Sequence, residues 1–511
     1  MELTKPVIFI IGAGAAGFSA ALTLAERGYK VELLEKNTLG SGATGRNPGR
    51  MGHGFHYTDI ETACAYLRAS IRVQRLYPDY LVGKDLPADD PIRHGRYFVV
   101  NTSNEPATKI MASYRALRKE YARLVAEDPT NEVFGPPKNF FRVLKKDEFE
   151  EHVNPEHVQI AIETNEHLFN WKAFANYMKK IIEGHPNINL REHCNVEKIQ
   201  HSETLNAPRF TIDTVNSEGF HETFQGDFIV NSTWENIQQL NDQLGLRMKP
   251  DSRTNRLKAL LTVTLPSSLQ KTNSMFFCMG QHSMVSNLGN GRAMLTYAKV
   301  TNLETSTSLT LSDKAQRFLR GEATTDEKNA IASEMLQGIC HYVPEMKHAI
   351  VDDVQFGIVQ TLGKLTLAEL KDINNSFNKR ADHGIKTEAI GVISNPCMKL
   401  FYFADNGEMV ADLVAKHVEA KLQITNTMIL VADSLRQRGK RLNPTITRAL
   451  RDHMHTLPLD YLLKTPIQQQ ARAILLRVNN QQSLNSFFKQ PETQANSEPL
   501  ANQNITPRAR L

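Results

Sequence analysis

The chain has 511 residues, 41% apolar and 23% charged, which is the make-up of a globular protein long enough for two or three domains. No apolar run approaches the ~18 residues of a membrane-spanning helix. The opening MELTKPVIFIIGAG lacks the cleavage site of a secretory signal. The net charge of +5 is uneven, because residues 426–511 hold 12 Lys/Arg against 5 Asp/Glu and leave the body near neutral. Nothing resembles the basic-aromatic pattern of a nucleic-acid binder. Cys64, Cys194, Cys278, Cys340 and Cys397 are scattered without a CxxC, which argues against a disulfide framework or zinc site and for a reducing, cytoplasmic location.

Val7 to Ile11 is an apolar, β-branched run, the pattern of a strand buried on both faces. Gly12, Ala13, Gly14, Ala15, Ala16 and Gly17 follow as G-x-G-x-x-G. Phe18 to Glu26 has helical spacing, Gly28 ends it, and Tyr29 to Leu34 forms a second strand that delivers Glu35. This is a β-α-β unit with an acid about 20 residues past the glycines, the pattern of a dinucleotide site. Gly12 permits the tight turn, Gly14 lets a pyrophosphate approach the backbone, and Gly17 lets the helix pack on the strand. The helix start offers free N–H groups and a positive dipole end to phosphate. Glu35 can accept both hydrogen bonds of a ribose diol and repels a 2′-phosphate, so NADP is the least suited ligand. Lys36 adjoins it.

The next loop carries Gly40, Gly42, Gly45, Gly49, Gly52 and Gly54, with Phe55 and Tyr57 as apolar anchors. Such a loop presses backbone against a ligand. Helices are expected at Ile60–Leu76, ended by Pro78, at Ala107–Ala126 on the surface, and at Asn170–Glu183. Arg96–Asn101, Asn189–Gln200 and Arg209–Val215 read as strands, with Val196–Gln200 expected beside the first sheet. Asp227–Trp234 reads as a buried strand running into a small-residue turn. From Asn255 the texture becomes strand-rich. Leu257–Leu265, Met275–Met279, Ser283–Ser286 and Ala293–Tyr297 are strands, with a hairpin signal at Leu288–Arg292. Leu311–Val343 returns to helix. Lys399–Ala404 is expected as a last buried strand, followed by a turn at Asp405–Gly407 and a helix at Glu408–Lys421. Two or three basic helices reach about Val478, and the polar end is expected to be disordered.

The glycine fingerprint with Glu35, the Arg46-Asn47 loop, the DFIVNSTW strand and the late strand-turn-helix resemble the flavoenzymes of the D-amino-acid oxidase superfamily. The loop from Arg46 to Tyr57 is similar to stretches of 2-hydroxyglutarate and glycerol-3-phosphate dehydrogenases, with His53 one position later than their histidine. The resemblance covers about the first 425 residues. It implies an α/β fold with a Rossmann-like FAD-binding domain of the GR2 type, an inserted antiparallel-sheet substrate domain and a C-terminal helical extension. The expected boundaries are 1–90, 156–250 and 351–425 for the FAD-binding domain and 91–155 and 251–350 for the substrate side. The basic extension is 426–480 and the tail 481–511.

The resemblance further implies FAD, with Gly12, Gly14, Ala15, Ala16 and Gly17 at the pyrophosphate and Glu35 and Lys36 near the adenosine ribose. Thr44, Gly45, Arg46 and Asn47 would line the pyrophosphate and flavin edge, and Val196 would pair with adenine. Ser232 and Thr233 stand at a small-residue turn where Trp234 replaces a glycine. Gly407, Glu408 and Met409 would open the last helix and face flavin N1 and the C2 carbonyl. Physics alone also allows NAD; the Arg-Asn loop and the late helix favour FAD.

His53 and His56 are candidates for proton acceptor or flavin attachment, against the alternative of hydrogen-bonded loop histidines. Arg50, Arg292 and Arg380 are either carboxylate clamps or salt-bridged arginines. His282 and Tyr297 fall in the domain that would roof the flavin, and either Tyr297 or Thr296 faces the cavity by the period of two. No metal ligand set is evident. The implied reaction is hydride transfer from a small amine or hydroxy compound to flavin N5, with oxygen, a quinone or a protein as acceptor. The other reading is a flavin- or nucleotide-binding protein without turnover, acting as a regulator or RNA-modification partner. The basic extension is a solvated helical cover or a contact for an anionic membrane or electron-accepting partner.

Overall fold

The β-branched run at the start of the chain forms a strand at the centre of a parallel sheet. In the computed structural model, residues 5–103, 105–202, 208–246, 252–279, 283–371, 383–437 and 444–479 are described. His282, Arg380 and the tail 481–511 lie outside them. The first third comprises β1 (Val7–Ile11), α1 (Ala15–Glu26), β2 (Lys30–Leu34), α2 (Ile60–Leu76), β3 (Gly95–Val100), α3 (Ala107–Glu127), β4 (Phe141–Val143), β5 (Val158–Thr164) and α4 (Trp171–Gly184). Next come β6 (Ile188–Arg191), β7 (Cys194–His201), β8 (Phe210–Asn216), β9 (His221–Gly226), β10 (Phe228–Asn231) and α5 (Ile237–Gln243). The strand-rich part holds β11 (Arg253–Thr264), β12 (Ser274–Cys278), β13 (Ser283–Gly289), β14 (Arg292–Tyr297), α6 (Ala298–Thr301), β15 (Asn302–Ser306), α7 (Asp313–Leu319), α8 (Thr325–Ile339) and β16 (Ile350–Leu362). The last elements are β17 (Lys386–Ala389), β18 (Val392–Ser394), α9 (Phe403–Gln437), α10 (Pro444–Thr456), α11 (Leu459–Lys464) and α12 (Ile467–Asn479).

The first sheet has the order β17-β18-β10-β1-β2-β6, parallel except for the β17–β18 pair. β1 pairs β2 on one side and β10 on the other, so the strand order reverses at β1 and opens a crevice beyond its carboxyl end. The second sheet has nine strands, mostly antiparallel, and joins β3, β4 and β5 to β11–β16 through a parallel β3–β12 pair. Residues 95–164 and 253–362 therefore build one sheet. β5 and β16 belong to it, although the expected boundaries put them with the FAD-binding segments. Asn290 and Gly291, with φ +53° and +71°, make the β13–β14 hairpin turn with both central residues left-handed.

Other expectations change. β6 takes the place beside β2, whereas β7, with Val196, turns away at His193 (φ +54°) into a separate β7-β8-β9 sheet. The helix expected over Leu311–Val343 is two, because Gly321 (φ +81°) breaks it and Thr324 with Glu327 forms a capping box that starts α8. Lys399–Ala404 is not a strand, and Asp405–Gly407 is not a turn. Leu400–Tyr402 is a single 3₁₀ turn leading straight into α9. Packing overrides the local signal here. Phe401, Tyr402 and Phe403 are buried in the first sheet's core, and the Asn406 side chain is fully buried between Asn395 and His383. Gly407 supplies close approach, since a Cβ there would lie 2.5 Å from Ser19 Oγ on α1.

The chain divides into two units, Met1–Val418 and Glu419–Leu511, with the boundary inside α9. In the second unit Val431, Leu435, Leu450, Met454, Leu462 and Ile474 are buried. The buried Gln470 amide donates to the carbonyls of Leu462 (3.0 Å) and Thr465 (2.7 Å) and accepts from Thr427 Oγ1 (3.3 Å). Among the described residues no helix is long and apolar enough to cross a membrane.

Burial makes this fold acid-sensitive. His417 on α9 is fully buried, accepts the Gly391 N–H at Nδ1 (3.0 Å) and lies 3.1 Å from Thr387 Oγ1 through Nε2. Burial, then the charge of Arg209, lowers its pKa to about 4. His53 and His167 are likewise lowered to about 4, chiefly by burial. Each is neutral in the fold and takes up a proton near pH 6.5 when unfolded, so its contribution is complete above that pH and is lost as pH falls toward 4. A shift of that size corresponds to at most about 3 kcal/mol per histidine. The thermal midpoint should therefore fall steeply between pH 6.5 and 4, and the slope should shrink in His417→Phe; a flat midpoint over that window would contradict this account.

Candidate active site

The crevice at the end of β1 opens into a cavity of ≈ 660 Å³. Its floor is the glycine turn. Gly12 has φ +94°, and a Cβ on it would meet the Ser232 carbonyl oxygen at 2.8 Å. A Cβ on Gly17 would lie 1.8 Å from the Gly12 carbonyl oxygen, so this glycine closes α1 onto the turn and does not itself line the cavity. A Cβ on Gly14 would meet only Thr44 Oγ1, at 3.4 Å, which leaves open space in front of the backbone. Gly14 caps α1 without a side-chain bond, and no acidic residue stands in the first turn. Ala15 N–H donates to Thr44 Oγ1 (2.9 Å). The N–H groups of Ala16 and Gly17 come before the first intrahelical bond, which Phe18 donates to Gly14. The start of this helix is therefore built for an anion.

Glu35 accepts N–H bonds from Ala13 (2.8 Å) and Asn37 (2.9 Å), one per oxygen, with lone pairs remaining for hydroxyls. Burial outweighs these bonds and raises its pKa. Lys36 lines the cavity but lies 3.6 Å from Glu235, so its charge is already matched. Asn47 braces its loop by donating to the Thr44 carbonyl (2.6 Å) and accepting from Gly49 N–H (2.9 Å). Arg46 spans to the second sheet, donating to the carbonyls of Leu319 (3.1 Å) and Phe356 (3.2 Å). Thr44, Arg46, Asn47, Val196, Ser232 and Thr233 all line the cavity. Gly45 does not; a Cβ there would press on the Gly40 carbonyl oxygen at 2.8 Å.

The opposite wall was not foreseen as a set. It comprises Lys258 and Leu260 of β11, Met284, Thr296, Gly357–Val359 of β16, and the loop Pro396–Leu400. Trp234 joins the two walls. It has φ +56°, donates its indole N–H to the Ile358 carbonyl (2.8 Å), and its own carbonyl accepts from Gln360 (3.2 Å). The departure at Trp234 and the period of two at Thr296 and Tyr297 are the sequence signals for parts of this wall.

Several expected residues stand elsewhere. Gly407, Glu408 and Met409 lie inside α9 and line no part of the cavity: Gly407 packs on α1, Glu408 pairs with Arg27 at 2.6 Å, and Met409 is exposed. The place before α9 belongs to Pro396–Leu400, with Cys397 at φ +50°. Tyr297 points away into the core, where its ring fills the space left by Gly338 on α8, and Thr296 faces the cavity. His53 is fully buried against Phe134, with ring centroids 3.8 Å apart, and reaches neither chamber. Arg292 forms an exposed pair with Asp352 at 3.2 Å.

A second chamber of ≈ 190 Å³ adjoins the first, sharing Asn47, Pro48, Lys399 and Leu400 with it. Arg50, His56, Tyr57, Tyr66 and Phe401 line it further. Lys399 Nζ donates to Tyr57 Oη (3.3 Å) and lies 4.9 Å from the centre of the Tyr66 ring.

A parallel sheet with a glycine turn at its switch point, opening under a large antiparallel sheet, defines a dinucleotide-binding class of protein. The chain belongs to the FAD dependent oxidoreductase family, whose model matches residues 8–363. It is 52% identical over 48 residues to the probable oxidoreductase OrdL of Haemophilus influenzae. It is 45% identical over 58 residues to a subunit of the anaerobic glycerol-3-phosphate dehydrogenase of Escherichia coli K12. These stretches are 9% and 11% of this chain and 11% of each relative, so the chain matches about a tenth of the length of its curated relatives. Glycine oxidase from Geobacillus kaustophilus shares the fold, with a TM-score of 0.54 and 16% identity over 81% of this chain and 95% of that one. So does L-α-glycerophosphate oxidase from Mycoplasma pneumoniae with FAD bound, with a TM-score of 0.51 and 14% identity over 81% and 95%. The cofactor is FAD, and the uncapped helix start, the open space at Gly14 and the half-buried Glu35 carboxylate fit its pyrophosphate and ribose.

Gly14→Asp places a carboxylate in the one open face of the turn. The purified variant should be colourless, with the flavin bands near 370 and 450 nm reduced at least roughly tenfold relative to wild type, as repulsion at a desolvated phosphate site predicts. A yellow variant would contradict this placement.

Proposed function

We propose that this protein oxidises a small amine or hydroxy acid bound where the second chamber meets the main cavity. FAD, when bound, would supply the two-electron acceptor for the hydride of a substrate C–H bond. The chain's own residues do the rest. Gly12, Gly14, Ala15, Ala16 and Gly17 hold the pyrophosphate, with Gly17 acting through the turn geometry, and Glu35 holds the adenosine ribose. Arg46 and Trp234 tie the two walls of the cavity together. Val196 would hold the adenine end, and Ser232 and Thr233 would close the turn beside it.

The observation that carries the reading is the adjoining chamber, which places two cationic side chains, Arg50 and Lys399, beside an imidazole at the end of a dinucleotide-sized cavity. The cations orient an anionic group by charge-assisted bonds. His56 is the imidazole lining the chamber, and we assign it the proton leaving the substrate's N–H or O–H. Aromatic walls from Tyr57, Tyr66 and Phe401 keep water from the reacting bond. The loop resemblance to hydroxy-acid dehydrogenases favours a hydroxy acid, with oxygen, a quinone or a protein as electron acceptor.

The test is anaerobic mixing of the yellow protein with panels of small hydroxy acids and amino acids. At least one member should bleach the 450 nm band, and His56→Ala should slow bleaching by about 10²-fold or more, the usual worth of an acid-base group. Persistent colour across both panels would favour a flavin-binding protein without turnover.

A further inference from the structure

Arg50 does not reach the chamber wall unaided. Its backbone forms an isolated antiparallel bridge with Leu168, which brings it alongside Glu166, two residues beyond the end of β5. The Glu166 side chain is 0% exposed and lines neither chamber. Its Oε1 accepts from Gly52 N–H (3.2 Å) and lies 3.5 Å from Arg50 Nε. Its Oε2 accepts from the Tyr97 hydroxyl, and the same hydroxyl oxygen accepts from Arg50 Nη2 (2.7 Å). The Phe276 ring lies under the guanidinium, 4.3 Å from its carbon. The guanidinium is thus set by a carboxylate, a phenol and an aromatic face, all outside the chamber.

Burial works against the Arg50 charge, but Tyr97 and Glu166 outweigh it and the pKa is raised. His53 Nδ1 lies 3.9 Å from Glu166 Oε2, and burial keeps that imidazole neutral near pH 7, so it does not compete as a cation for the carboxylate. An ion pair buried this deeply is poor evidence of stabilisation, because desolvation offsets the attraction. It is a good device for fixing the angle of a guanidinium whose fork must meet a carboxylate.

We propose that Glu166, with Tyr97, is the positioning residue that holds the Arg50 guanidinium as an anion clamp, paired with Lys399, for the carboxylate of a small substrate with an apolar or aromatic body. This rests on the chamber being the substrate's site. The volume of ≈ 190 Å³ and the Tyr57, Tyr66 and Phe401 walls set the size and apolar character of that body.

The test uses full-length, FAD-loaded protein titrated with benzoate, and with benzamide as the uncharged isostere, following the shift of the flavin absorption bands. Benzoate should shift them and benzamide should not. Arg50→Met and Glu166→Gln should each weaken benzoate at least tenfold, and the double variant should be no weaker than Arg50→Met alone, because Glu166 acts through Arg50. Unchanged or tighter benzoate binding in Glu166→Gln, or fully additive losses in the double variant, would overturn the inference while leaving the chamber as an anion site. Wild-type protein that ignores benzoate would overturn both. If Glu166→Gln does not retain FAD, Tyr97→Phe breaks the same linkage with no change of charge, and a benzoate affinity equal to wild type in that variant would overturn the inference.

Discussion

A backbone contact that only glycine allows underlies the whole arrangement. The Gly12 carbonyl oxygen stands where a side chain on residue 17 would begin, and the Ser232 carbonyl stands where one on residue 12 would begin. Three segments, the ends of β1 and β10 and the first turn of α1, therefore meet at van der Waals distance with no side chain between them. This brings the unbonded N–H groups of α1 to the switch point of the parallel sheet, where strand order reverses and a crevice must exist. Any larger residue would push α1 off the turn and remove both the cradle and the helix packing at once.

The second constraint is the seam between the two sheets. The parallel sheet offers a cofactor only a floor. The roof comes from β11, β13, β14 and β16, whose inward residues alternate with residues buried in the roof's own core. Long polar side chains cross the seam and end on backbone carbonyls: Arg46 on Leu319 and Phe356, Trp234 on Ile358. Such bonds tie side chains from the loops after β2 and β10 to the backbone of α7 and β16, and do not depend on the residue types there. Trp234 adopts a left-handed backbone that a bulky residue rarely takes, a strain of order 1–3 kcal/mol found where surrounding structure over-determines a residue. Its indole bond and the bond received from Gln360 supply that surrounding structure.

Burial also sorts the ionisable groups into roles. Glu166 is a buried acid and Glu35 a half-buried one: Glu35 faces the cavity and is held by backbone N–H groups, whereas Glu166 sits behind it and is held by Arg50 and Tyr97. His53 and His56 are three residues apart in one glycine-rich loop. The left-handed Gly54 between them turns one ring into an aromatic core and the other toward a chamber. Chemical identity alone could not separate such pairs. Their surroundings do, through the cost of placing charge where water is absent.

The local sequence determined what depends on neighbours a few residues apart. The β-α-β unit, helix α2 with its Asp59 cap, α4 with its Asn170 cap and the Asn-Gly hairpin follow from periodicity, caps and turn chemistry. So did the glycine turn and the acid at 35, because their spacing is itself the signal. Only the tertiary structure decided that 399–407 is helix entry and not strand and turn, since Asn406 finds buried partners and Gly407 a helix to lie against. It also decided that Thr296 and not Tyr297 faces the cavity, because Gly338, 41 positions later, leaves room for the ring. The pairing of Arg50 with Glu166 joins residues 116 apart in sequence. No local pattern can encode such a contact, because its energy exists only once the strands between them have been placed.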